Sequence, residues 1–118
     1  MKPLHLALKK KWFDLIDSGV KTEEYRDVKP YWEKRLLNYK GIKANWKNLI
    51  FREFLTGRFD ACADYPRGFT HVVFRNGYAK DAPRMTFKLE SITIGEGREE
   101  WGAAPNKQYF IITLGERI

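Results

Sequence analysis

The sequence predicts an α+β fold: a curved, mostly antiparallel sheet with helices over one side. Three observations point there. Strand-like alternation and helical spacing both recur along the 118 residues, without the regular β–α succession of a doubly wound sheet. Glycine and proline break the chain into short segments. The length fits one domain, residues 1–118, and 43% hydrophobic with 15% aromatic residues is enough for its core.

The elements follow in order. Leu4, Leu6 and Leu8 alternate with His5 and Ala7, which predicts a strand over 3–9 with His5 opposite the leucines. Trp12, Phe13, Leu15 and Ile16 fall at helical spacing over 10–18. Gly19, free to take positive φ, stops that helix. Residues 21–28 alternate as a strand. Pro30 suits the first turn of a second helix with Tyr31, Trp32, Leu36 and Leu37 on its apolar face, ended by Gly41. Trp46, Leu49, Ile50 and Phe54 predict a third helix over 43–55, and Gly57, Pro66 and Gly68 a loop over 56–70. His71 to Phe74 is β-rich, Asn76-Gly77 is a hairpin-type pair, and Asp81-Ala82-Pro83 breaks the chain again. Met85, Phe87 and Leu89 alternate with Arg84, Thr86, Lys88 and Glu90 and lead into Ile92 and Ile94, a long half-buried strand over 84–95. A loop around Trp101 spans 95–107, and a last strand spans 108–114.

Several classes are excluded. The apolar runs, such as Phe110-Ile111-Ile112, are too short to span a bilayer, and Met1 to His5 does not open a signal peptide. One cysteine, Cys62, precludes an internal disulfide or a multi-cysteine zinc site. A soluble, reduced, cytoplasmic protein is expected. His5 and His71 have no ligand spacing, so neither a metal nor another cofactor is expected.

The net charge is +7 and lies on one side of the sequence. Residues 1–58 hold 14 Lys and Arg against 7 Asp and Glu, and residues 59–118 hold eight of each. A one-sided basic surface suits a polyanion. Lys9, Lys10, Lys11, Lys34, Arg35, Lys40, Lys43 and Lys47 interleave with Trp12, Trp32, Tyr39 and Trp46. Charge tracks a nucleic-acid backbone and rings stack on bases, so this mixture fits a single strand. Trp12 and Trp32 are nevertheless expected in the core, on apolar helix faces.

The densest chemistry is at residues 19–26. On a strand, Thr22, Glu24 and Arg26 share one face. A carboxylate beside a guanidinium, with Lys21 at the strand's mouth, can grip a polar planar ligand or a phosphate. Lys21 can serve there as a point charge, or as a base where burial lowers its pKa. Glu24 can serve as a general base. On an exposed strand the same groups would be an ordinary surface ion pair. Arg75, Asn76 and Tyr78 form a second cluster: a fork for phosphate, an amide for a base edge and a stacking ring, or simply the flanks of a turn. Trp101 either closes a barrel or lines the cleft.

Gly19-x-Lys21-x-x-Glu24-x-Arg26 matches the G-x-K-x-x-E-x-R signature of the ASCH domain family, a branch of the PUA-like superfamily. Leu4 to Leu8 with Trp12 to Ile16 resembles the family's first strand and helix, and Val73 to Tyr78 and Tyr109 to Gly115 resemble its later strands. The resemblance implies a PUA-like small mixed β-barrel with flanking helices and a cleft beside the motif strand. It implies binding of RNA, preferably single-stranded, or of a modified nucleoside or nucleotide. Lys21, Glu24, Arg26, Arg75, Asn76 and Tyr78 would line that cleft. Some ASCH proteins are amidohydrolases of N4-acetylcytidine and others are linked to RNA cleavage, so the resemblance also allows an enzyme using Lys21 and Glu24. The amidohydrolase site resembles a lysine, a threonine three residues on and a later glutamate. Here Glu24 stands in the threonine's place, Thr22 lies two positions earlier, and Glu90, Glu99 and Glu100 are all candidates for the later glutamate. The neutral second half leaves an adaptor role as a third reading.

Overall fold

A computed structural model describes residues 3–36 and 69–118. The helix expected over 43–55, the stop at Gly41, Cys62 and most of the loop expected over 56–70 lie outside them.

Leu4, Leu6 and Leu8 are buried along β1 (Pro3–Leu8), as their alternation requires. Helix α1 (Lys10–Asp17) buries Phe13 and Ile16. It closes on Gly19 at φ +83°, where the Gly19 amide donates to the Ile16 carbonyl and the Val20 amide to the Leu15 carbonyl. That crossed pair is a Schellman stop, and it needs a residue at ease with positive φ. The Lys21 amide also donates to the Leu15 carbonyl, which fixes where the next strand, β2 (Glu23–Asp27), begins. The first turn of α2 (Pro30–Leu36) opens on proline as expected.

The remaining elements are β3 (His71–Asn76), β4 (Arg84–Glu96), a one-turn 3-10 helix (Glu99–Trp101) and β5 (Gln108–Arg117). The five strands form one curled sheet, a half-barrel, in the order β1-β3-β4-β5-β2. Among the described strands only β1 and β3 run parallel, with Leu4 beside Val72 and Leu6 beside Phe74. The other pairs are antiparallel. The β3–β4 hairpin exists, but Asn76-Gly77 does not close it as a two-residue turn. Gly77, at φ +88°, donates to the carbonyls of Leu8 and Arg75, and the chain loops through 77–83 before β4.

Among the described residues two clusters form the core. The larger gathers the leucines of β1, Phe13, Ile16, Leu36, Phe74, Phe87, Ile92, Phe110 and Ile112 in the hollow of the sheet. Each fully buried side chain of this kind contributes about 1.5–3 kcal/mol. The smaller packs Tyr25, Trp101, Ala103 and Tyr109. It pins the 97–104 loop to the strands: the Arg98 amide donates to the Tyr25 hydroxyl at 3.1 Å and the Ala104 amide to the Tyr109 hydroxyl at 2.9 Å. No helix among the described residues is long and apolar enough to cross a membrane.

Candidate functional site

The motif strand carries Glu24 and Arg26 on one face, two residues apart. Arg26 Nη1 donates to Glu24 Oε2 at 2.7 Å, and Lys21 Nζ donates to Glu24 Oε1 at 2.9 Å. The Tyr25 amide also donates to Oε1, at 3.0 Å. One carboxylate therefore takes two cations and a backbone donor, and Glu24 is only 5% exposed. Arg26 is fixed further by the Tyr25 carbonyl at 2.8 Å and the Ala7 carbonyl at 3.2 Å, and its guanidinium lies 5.3 Å from the Trp32 ring centroid. The Ala7 contact matters for shape, because it joins the two outer strands of the sheet through a side chain.

Lys21 departs from the expectation of a residue at the cleft mouth. It is 2% exposed. Its ammonium donates to the Trp101 carbonyl at 2.9 Å and lies 4.5 Å from the Trp12 ring centroid. Trp12 covers it, and Gly102 makes room for Trp12: a Cβ on Gly102 would lie 2.9 Å from Trp12 Cζ2. Burial holds the lysine pKa below its ordinary value, against the pull of the Glu24 carboxylate, and the Arg26 charge adds to the lowering.

Tyr25 is perturbed the other way. Burial pushes its phenol up to about 12, and its hydrogen bond to Glu23 at 2.8 Å and the Glu23 charge act in the same direction. The stability this contributes is complete below about pH 10 and is lost as pH rises through about 12. We expect Tyr25→Phe to remove an ionisation step near pH 12 from the absorbance titration of the protein.

Over the Glu24–Arg26 pair lies an open cavity of about 510 Å³. Trp12, Asn76 and Tyr78 form its walls with Lys9 and Lys10 of the α1 entry, and Lys21 is not among them. Tyr78 is 89% exposed. The Asn76 side-chain amide has no hydrogen-bond partner among the described residues. A second cavity of about 380 Å³ adjoins the first and shares Ala7, Arg26 and Tyr78 with it. Arg75, Arg35, Tyr31 and Trp32 line this second space. Glu24, Arg26, Asn76 and Tyr78 thus meet around the first cavity, Arg75 faces the second, and Lys21 lines neither.

Trp12 and Trp32 differ from the expected core positions: each is half-buried, Trp12 lines the first cavity, and Trp32 packs against the core while lining the second. An apolar helix face does not distinguish a core ring from a cleft wall, so the sequence held no signal for this. Lys9, Lys10 and Arg35 of the basic stripe reach the cavities. Lys40, Lys43, Lys47, Tyr39 and Trp46 lie outside the described residues. Glu90, Glu99 and Glu100 are exposed and line neither cavity. Thr22 is exposed, with its carbonyl accepting the Leu114 amide. Among the described residues no group of three or more His, Cys, Asp or Glu side chains is placed to hold a metal. No family model, no curated protein and no solved structure matches the chain.

Proposed function

We propose that the protein binds one base of a single-stranded RNA, or a nucleoside, in the first cavity, as a PUA-like domain of the ASCH type. One observation carries this reading: an open cavity floored by the Glu24–Arg26 pair and walled by an unengaged amide and two aromatic rings. The exposed Tyr78 offers a stacking face, worth about 1–3 kcal/mol per base. Asn76 can pair with a base edge. Glu24 and Arg26 hold each other in place, so a ligand meets them already oriented. The resemblance of residues 19–26 to the ASCH signature and the basic first half of the chain support the same reading.

With Lys21 buried, the cations that meet phosphate at this cavity are Lys9 and Lys10. Fluorescence anisotropy of an end-labelled single-stranded RNA should rise on adding protein at low salt and fall as salt is added. Replacing Lys9 and Lys10 with Ala should flatten the plot of log affinity against log salt by about 1.4, at ~0.7 per contact. An unchanged slope would remove these lysines from the interface, and no rise at all for RNA or nucleosides would end the reading.

A second reading has its own support. The lowered pKa of Lys21, in contact with the Glu24 carboxylate, suits general-base chemistry on an amide such as N4-acetylcytidine, or on RNA. It requires Trp12 to move, because the ring covers the amine. Turnover by the wild-type protein that disappears in Lys21→Met would establish it. In the anisotropy experiment, cleavage would appear as a decay below the starting value.

A further inference from the structure

We propose that the second cavity is a phosphate subsite, so that the ligand is a nucleotide, free or within a strand, and not a bare nucleoside. This rests on the reading of the first cavity as a base site and adds the ligand's charged part.

Among the described residues, three guanidiniums, those of Arg26, Arg35 and Arg75, line the second cavity, and no acidic side chain does. Arg26 already has a carboxylate in Glu24. Arg35 and Arg75 have none among the described residues. Arg35 donates to the His5 carbonyl at 2.6 Å and the Tyr31 hydroxyl at 3.3 Å, and Arg75 to the Ala79 carbonyl at 2.6 Å. These neutral acceptors orient the two forks without cancelling their charge. Arg75 Nε is buried and lacks any acceptor, an arrangement that native interiors rarely leave in place. Two cations that meet no carboxylate among the described residues repel each other around one hollow, and an anion seated between them reverses that term. A guanidinium fork matches the paired oxygens of a phosphate.

Position narrows the anion to one attached to a base. The two cavities share Ala7, Arg26 and Tyr78, so a ring stacked on Tyr78 in the first puts its sugar and phosphate at the rim of the second. Tyr31, 60% exposed and edge-on to Trp32 at 4.8 Å, adds a ring at the outer side, where a following nucleotide can rest.

Calorimetry on the full chain tests this with the four ribonucleosides, their 3′- and 5′-monophosphates, and dinucleotides joined by a phosphodiester or by a neutral methylphosphonate. The phosphate-bearing ligand should bind about tenfold tighter or more, the gain of one charge-assisted hydrogen bond. Arg35→Gln, and independently Arg75→Gln on a different element, should remove that gain and leave nucleoside affinity as it was. Arg117→Gln, which removes the same charge from a residue paired with Asp17, should change nothing. A gain for monophosphates identifies a free nucleotide as the source, and a gain confined to the phosphodiester identifies a strand; both support the subsite. Equal affinity for nucleoside and nucleotide overturns it while sparing the base site. So does an equal loss in Arg117→Gln, which would reduce the effect to overall charge. No binding of any probe overturns both.

Discussion

Glu24→Gln is expected to destabilise the protein by about 3–5 kcal/mol, the cost of stranding a buried charge. For a chain of this size that is a fall of roughly 10–20 °C in Tm. The argument concerns lone pairs as much as charge. Glu24 Oε1 accepts from Lys21 Nζ and the Tyr25 amide, and Oε2 accepts from Arg26 Nη1. A glutamine has one oxygen, so its NH₂ must face either the guanidinium or the other two donors. Lys21 would then keep only the Trp101 carbonyl and the ring faces around it.

The sign with pH follows. The folded-state pKa of Lys21 lies below its unfolded value of 10.5, so the folded protein binds fewer protons just below that pH. Its stability term therefore improves as pH rises toward 10.5. Without the carboxylate the pKa falls further, and the gap between Glu24→Gln and wild type should narrow as the solution becomes alkaline. Lys21→Met should cost less than Glu24→Gln, because Glu24 keeps Arg26 and the Tyr25 amide. Urea unfolding at several pH values decides it. A Glu24→Gln protein within about 1 kcal/mol of wild type would mean that the ammonium is already hydrated.

Gly102→Ala should cost about 2–3 kcal/mol and uncover Lys21. Two effects combine. The residue sits at φ +103°, where a side chain is strained, and the new methyl meets the ring of Trp12 at 2.9 Å. Gly19→Ala separates them, since Gly19 also has positive φ but nothing within 4 Å of the added carbon. It should cost about 1 kcal/mol, the strain alone. The difference between the two variants measures the contact with Trp12. An amine-reactive reagent followed by mass spectrometry gives the second readout. Lys21 should be the last described lysine to react in the wild type and should react early in Gly102→Ala. Equal protection in both would show that Trp12 is not the cover.

Much of this was legible in the sequence for local reasons. The leucines of β1, the glycine stop of α1 and the shared face of Glu24 and Arg26 follow from periodicity and from one residue's backbone freedom, and each is found where expected. The alternation of 84–95 also holds, although two irregularities of register near Leu89 interrupt its pairing with β5. The burial of Lys21 was not legible. A lysine after a glycine turn reads as solvated, and what encloses it is a ring from α1 and a carbonyl 80 residues away. The parallel pairing of β1 with β3 left no local mark either, because its partners are separated by half the chain. In the sequence Arg35 is one of a stripe of cations. Its distinction, that it faces Arg26 and Arg75 across a hollow, depends on how α2 meets the sheet.

The strand order has a consequence for how the site comes into being. Leu4 has no strand partner until Val72 exists, and Glu24 none until Ile112 does. Pairings so far apart in sequence are slow to form, on the order of milliseconds to seconds. During synthesis β1 must therefore wait unpaired until β3 has left the ribosome, and β2 until β5 has. The Lys21–Glu24–Arg26 cluster is compact in sequence, yet a nascent chain that already carries all three residues has no site. Trp101 and β5, made late, complete the enclosure of the early motif, so an interrupted polypeptide presents sticky strands without the assembled cluster.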